Sequence, residues 1–136
     1  MEKATFVQKV VIKYPSNDKF LVLIRNSNDK SRPGDFDIPG GSLKNGELHE
    51  DALRREVKEE TSLEIYDINP VVINSNYDES ENKYFIYVGY MATAKNTDVV
   101  INPEEHSSFT WMTVSEFRAK APQHILLNQI EKSFER

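Results

Sequence analysis

The run at residues 47–61 contains neither glycine nor proline and is rich in Leu, Ala, Arg, Lys and Glu, which makes it the strongest helix in the chain. Strand-like segments surround it. Ahead of it, residues 6–14 and 19–25 are β-branched and aromatic. Pro15-Ser16-Asn17-Asp18 separates them with turn chemistry, so the pair predicts a hairpin. Residues 26–37 turn polar, with Pro33 and Gly34, and predict an exposed loop. Ile38-Pro39-Gly40-Gly41-Ser42-Leu43 follows, where adjacent glycines permit backbone geometry that side chains forbid.

Beyond the helix, residues 64–77 and 83–94 are strand-like again, 96–107 form a polar loop, and 109–114 make a short strand. Ser115 is placed to cap a short helix, and Pro122 to open a last one through Ile125, Leu126, Leu127, Ile130 and Phe134. Strands on both sides of one central helix, with helices at the end, predict a layered α/β (α+β) architecture. The length of 136 residues suits a single domain spanning 1–136.

Charge and composition narrow the function. With 22 acids against 17 Lys plus Arg, the net charge is −5. An acidic chain lacks the long-range attraction that binders of polymeric nucleic acid depend on. A small phosphorylated ligand stays open, because a bound cation can supply positive charge locally. There are no cysteines, which removes disulfides and thiolate metal sites. No apolar run approaches membrane-spanning length and no stretch reads as a signal peptide, so the expectation is a soluble, cytoplasmic protein without a membrane partner.

On a helical wheel, Glu56, Glu59 and Glu60 stand at i, i+3 and i+4, within an arc of roughly 100°. Leu53 and Val57 fall beside that arc and can anchor the helix to a sheet, which holds the carboxylates near the protein body. Like charges so spaced repel, and Lys58 points to another face. Divalent cations are the natural compensation. Hard Mg²⁺ or Mn²⁺ takes oxygen ligands, whereas a zinc site of usual composition has no cysteines here and only scattered histidines. A solvated helix face is the other meaning of such a charge run.

The stretch Gly41-x5-Glu47-x7-Arg55-Glu56-Val57-x-Glu59-Glu60-x-Ser62-Leu63 resembles the Nudix box, G-x5-E-x7-R-E-U-x-E-E-x-G-U with U aliphatic. One fixed position departs: Ser62 stands where the pattern has glycine. The box covers 23 residues, and Asp37-Ile38-Pro39-Gly40 resembles the usual approach to it. The resemblance implies an α/β/α sandwich with a mixed sheet between helices, and a small MutT-like member. It implies that Glu56, Glu59 and Glu60 hold Mg²⁺, with Mn²⁺ as a substitute, and that the Gly40 carbonyl is a backbone ligand. Arg55 would orient the carboxylates and Glu47 would pin the loop to the helix. Serine at position 62 threatens local geometry more than metal binding, because no side-chain ligand is lost.

The resemblance further implies attack of a metal-activated water on phosphorus in a nucleoside diphosphate linked to another moiety. Glu56 or Glu59 is a candidate proton acceptor. So are Glu104 and Glu105 downstream, since Glu105-His106 followed by Trp111 is similar to a region where relatives place an extra ligand or base. An exposed acidic loop is the other reading of these two. Arg25 sits where some relatives contact substrate phosphates, against an ordinary surface arginine. Phe36 and Tyr77 are candidates to stack on a base, against core or rim positions. Trp111 reads as core and His49 as surface.

Small size favours a nucleoside triphosphate cleaved to monophosphate and pyrophosphate. ADP-ribose, dinucleoside polyphosphates and sugar nucleotides stay open, as does a non-catalytic nucleotide-sensing domain on the same fold. The intact glutamates argue against the sensor. Exposed strands allow a homodimer, which the sequence does not decide.

Overall fold

Every residue of the apolar run Phe20-Leu21-Val22-Leu23 is fully buried, and a strand can bury successive residues only if both its faces are covered. A computed structural model describes residues 3–135. Its elements in chain order are β1 (Lys3–Lys13), β2 (Phe20–Arg25), β3 (Phe36–Asp37), β4 (Gly40–Ser42), α1 (His49–Thr61), β5 (Ile65–Asp78), β6 (Lys83–Ala94), β7 (His106–Met112), α2 (Val114–Lys120) and α3 (Leu127–Ser133). The strands form one seven-stranded mixed sheet in the order β3-β2-β1-β6-β5, with β4 beside β1 and β7 beside β2.

Alternation along the strands builds two cores. Val10, Ile12, Leu21 and Leu23 pack with Leu53 and Val57 of α1, while Val11, Phe20 and Val22 face Phe117 of α2 and Ile130 of α3. The result is an α/β/α sandwich with the sheet between α1 and the α2–α3 pair. Among the described residues, no helix is long and apolar enough to cross a membrane.

Several boundaries differ from the sequence expectations. The 15–18 turn does connect β1 and β2, but the two strands pair only at Lys13 and Phe20. The main partner of β1 is β6, parallel along its whole length from Lys3–Lys83 to Lys13–Thr93. Farther along, β1 pairs instead with β4, from Val7–Ser42 to Lys9–Gly40, so β2 diverges and leaves an opening. The central helix starts at His49, two residues later than expected. Gly46, at φ 80°, turns the chain, and the Glu47 N–H bonds back to the Lys44 carbonyl. Gln8 in β1 donates to the His49 carbonyl at 2.6 Å and fixes that helix start.

The cap of α2 is Thr113, not Ser115. Thr113 and Glu116 exchange side-chain and backbone bonds in a capping box, which satisfies two donors at once. Pro122 lies in the turn before α3, whose first residue is Leu127. Trp111 is half-buried, edge-on to Tyr14 with ring centres 5.0 Å apart.

Candidate active site

Helix α1 presents its three glutamates in a gradient of burial. Glu60 is 3% exposed and Glu56 is partly buried, whereas the Glu59 side chain is 52% exposed. Leu53 and Val57 beside them are sealed into the core, which fixes the rotation of the helix. Arg55 spreads its planar fork over the outer two: Nη1 lies 3.0 Å from Glu56 Oε1 and 3.2 Å from Glu59 Oε2. The same guanidinium grips Glu47 at 2.7 Å and 3.0 Å and holds that carboxyl below the usual carboxylate range. Part of the repulsion along the helix is thus relieved within the chain, by a residue reaching one and four positions forward.

Glu60 faces the sheet instead. Its Oε2 accepts the Gly40 N–H at 3.1 Å. Gly40 has φ 152°, and a Cβ there would lie 2.1 Å from the Gln8 carbonyl oxygen and 2.6 Å from Lys9 Cα, so only glycine fits. At Gly41, an added Cβ would lie 2.6 Å from the Glu56 carboxyl carbon. Gly40 thus lets its strand lie close against β1 while its N–H meets Glu60, and Gly41 lets the Glu56 carboxylate lie directly against backbone. Burial pushes the Glu60 carboxyl well above the usual range; Lys9 and the Gly40 N–H oppose this, and Glu105 and Glu56 add to it.

A second buried acid lies in the opening between β1 and β2. Asp37 is 2% exposed and is surrounded by positive groups. Lys9 Nζ stands 2.7 Å from Oδ1, Arg25 Nη1 3.0 Å from Oδ2, and His106 Nε2 3.1 Å from Oδ2, with Arg32 at 3.8 Å. Burial acts to raise the Asp37 carboxyl, yet His106 and Lys9 hold it well below the ordinary value. Arg25 is further clamped by Asp29 at 2.6 Å.

Lys9, Asp29, Asp37 and His106 line a cleft of about 290 Å³, into which Gly40, Glu60, Arg25 and the acids Glu104 and Glu105 also open. The Glu105 loop is anchored by Asn26, whose side chain donates to the Pro103 carbonyl and whose N–H donates to that of Glu105. One ligand atom each from Glu60, Glu105 and His106 lies within 4.8 Å of the others. An adjoining apolar cavity of about 530 Å³ shares Lys9 and is lined by Val72, Phe85, Tyr87, Ile125 and Gln129. A larger depression, near 700 Å³, lies by the β1–β2 turn and shares no lining residue with the cleft.

The structure thus brings together Arg25, Gly40, Glu56, Glu60 and Glu105, with Glu59 on the outer face and Glu47 and Arg55 behind. Phe36 is not brought to either cavity. Its ring packs on Phe117 with centres 5.3 Å apart, at the edge of the second core, because its strand neighbours Asp37 and Ile38 point it toward α2. Tyr77 stacks with Tyr84 on an exposed part of the sheet, at 4.8 Å between ring centres. Lys9 escaped the sequence reading, which named Asp37 and His106 only as parts of motifs and gave them no role of their own. Their one signal was charge embedded in strand-like or apolar neighbours.

Known proteins match this chain in sequence and in fold. A family model described as the NUDIX domain matches residues 7–131. The nucleoside triphosphatase NudI of Enterobacter sp. (strain 638) is 30% identical over 122 residues, covering 83% of this chain and 84% of that protein. Its counterpart from Escherichia fergusonii is 31% identical, covering 71% and 74%. The crystal structure of a MutT NUDIX hydrolase from Burkholderia pseudomallei superposes with a TM-score of 0.75 at 19% identity, covering 96% of this chain and 98% of that one. A MutT protein from Methanosarcina mazei Go1 also reaches 0.75, at 21% identity and with 97% and 94% covered. At such identities the solved structures speak for the fold.

Proposed function

The chain belongs to the Nudix family of hydrolases acting on phosphate anhydride bonds, and from that premise we propose that it converts a nucleoside triphosphate to the monophosphate and pyrophosphate with the help of Mg²⁺. The observation that carries this reading is the convergence of Glu56 and Glu60 on the Gly40-Gly41 backbone, beside a cleft that adjoins an apolar cavity at Lys9.

The donor set suits a hard divalent cation. Its side chains are carboxylates, and the bare backbone of Gly41 leaves room for the Glu56 carboxylate that a Cβ would fill. Glu56, Glu59, Glu60 and the carbonyl of Gly40 would hold the ion. When bound, it neutralises phosphate oxygens and acidifies a water molecule. Mn²⁺ satisfies the same donors.

The remaining roles fall to the chain itself. Asp29 and Asp37 hold the Arg25 fork at the rim of the cleft, ready for a phosphate oxygen without further loss of side-chain freedom. Lys9 contributes a second positive charge on the wall between the two cavities. The nucleoside rests in the apolar cavity against Phe85 and Tyr87, and its phosphates reach into the acidic cleft. Tyr87 is steadied by a hydrogen bond from its hydroxyl to Gln129 Oε1. Glu105 accepts the proton of the attacking water, with Glu56 and Glu59 as the other bases in reach of the substrate. Glu47 and Arg55 keep the box loop and helix in register.

Incubation of the purified protein and Mg²⁺ with nucleoside triphosphates, ADP-ribose, sugar nucleotides and dinucleoside polyphosphates tests this reading, with product identification and a Glu59→Gln control. Monophosphate plus pyrophosphate from a triphosphate, lost in the variant, is expected. A preference for another class would move the substrate assignment. Tight nucleotide binding without turnover of any compound would replace the enzyme by a sensor.

A further inference from the structure

We propose that His106 is a nitrogen ligand of a cation position shared with Glu60 and Glu105, and that this position takes a borderline divalent ion such as Zn²⁺ or Co²⁺ in preference to Mg²⁺. The inference rests on the cation-binding reading of Glu60, but not on the identity of the nucleotide.

His106 opens β7 opposite Arg25 and is 3% exposed. Its Nε2 faces Asp37 Oδ2 at 3.1 Å. Asp37 already accepts from Lys9 and Arg25 and is ionised, so it can act only as an acceptor. The Nε2 position therefore carries the hydrogen, and in the neutral ring Nδ1 holds the lone pair. That atom is buried and has no hydrogen-bond partner among the described residues. A buried imidazole nitrogen without a partner is uncommon. One ring nitrogen of His106 and one carboxylate oxygen each of Glu60 and Glu105 lie within 4.8 Å of one another, so this imidazole stands beside a pair of carboxylates.

The arrangement has the form of a carboxylate–histidine–metal triad, in which the carboxylate sets the tautomer and makes the ring a better donor. Atoms that are each about 2.1 Å from one tetrahedral ion are about 3.4 Å apart, so the set closes by a movement of roughly 1 Å, within reach of a carboxylate side chain changing its torsions. Glu105 is exposed on its anchored loop, and its side chain is the member with room to change torsion. Oxygen ligands alone satisfy Mg²⁺, while an imidazole shifts preference toward the later first-row metals. This position differs from the outer carboxylate face, where Glu56 and Glu59 share Arg55 and offer oxygen only.

Calorimetric titration of Mg²⁺, Co²⁺ and Zn²⁺ into the wild-type protein and His106→Asn, without nucleotide, tests the assignment. The variant should lose tenfold or more in affinity for Co²⁺ and Zn²⁺ while Mg²⁺ affinity changes by less than twofold. Equal loss for all three ions, or none, would overturn it. Should the variant fail to fold, histidine ring ¹⁵N spectra of the wild-type protein during Zn²⁺ titration decide the matter. The Nδ1 resonance of His106 should move, with His49 and His124 as internal references. An unmoved resonance means that Nδ1 holds only a water molecule, and the proposal fails. Both readouts measure binding, so they stand apart from any failure to find a hydrolysed substrate.

Discussion

Glu60 and Asp37 are almost equally buried and open into the same cleft, yet they behave as opposites. Asp37 is met by Lys9, Arg25, Arg32 and His106, and its carboxyl stays ionised far below the ordinary value. Glu60 receives one backbone N–H and the field of Lys9, which is itself paired with Asp37, and lies near the negative charges of Glu56 and Glu105, so burial prevails and drives it toward the protonated form. Burial alone therefore does not fix the state of an acid; the charges already supplied by the chain do. Asp37 is neutralised from within, which suits a scaffold. Glu60 is a carboxylate the chain compensates only in part, through Lys9 and the Gly40 N–H, which suits a group meant to meet a cation.

The comparison breaks most visibly if Glu60 is neutralised. Glu60→Gln keeps an oxygen for the Gly40 N–H but removes the charge. Mg²⁺-dependent turnover should fall by about 10³-fold or more, since loss of one preorganised electrostatic group costs on the order of 10²–10³ and here the proposed metal ligand goes with it. Steady-state kcat/KM checks this. A fall of less than tenfold would mean that Glu60 is a core acid and not part of the site.

Asp37→Asn attacks the other side. It leaves Lys9 and Arg25 facing a neutral group in a buried setting, where removing one partner costs about 3–5 kcal/mol. Urea unfolding at pH 7 should register that loss. Because the folded Asp37 value lies below the ordinary one, its contribution is present above the usual aspartate range and disappears as pH falls through the folded value. The gap between wild type and variant should therefore close in acid. A constant gap at all pH would indicate a packing defect instead of lost charge pairing.

Glu60 should show the reverse slope. Its folded value lies above the ordinary 4.5, so its protonated form favours the fold; that contribution is complete below 4.5 and is lost as pH rises toward the folded value. Protein stripped with a chelator should lose roughly 1–3 kcal/mol relative to Glu60→Gln between pH 5 and 8, and added Mg²⁺ should restore it. Parallel stability curves for the two proteins would remove the contrast with Asp37.

The two acids also differ in how readable they were. Glu60 belongs to a contiguous helix whose period places Glu56, Glu59, Leu53 and Val57 on defined faces, so its setting follows from spacing. The Asp37 cluster draws Lys9 from β1, Arg25 from β2, Asp37 from β3 and His106 from β7. No local pattern joins them, because the pairing exists only once β1 and β2 diverge. The same non-locality hid the parallel β1–β6 pairing behind a legible turn. It also misdirected the search for aromatic faces. Phe36, conspicuous in a polar stretch, packs into the core, while Phe85 and Tyr87 share one face of an apolar run whose other face carries Tyr84, Ile86 and Val88.

The smallest expected effect concerns the backbone on the two sides of Glu60. Gly40 occupies geometry that no side chain can enter, because a Cβ would collide with the β1 backbone. Ser62, where the family pattern has glycine, adopts φ 63° and ψ 11° at the end of α1, a left-handed conformation that costs an L-residue roughly 1–2 kcal/mol. Its N–H still closes the helix on the Lys58 carbonyl, and its hydroxyl makes a long 3.4 Å bond to the Val100 carbonyl. The fold thus tolerates serine with modest strain. Ser62→Gly should raise stability by about 1 kcal/mol, a melting-point gain of several degrees, with kcat/KM unchanged within twofold. A stabilised variant with altered turnover would show that this strain reaches Glu60, and that the helix end takes part in setting the site.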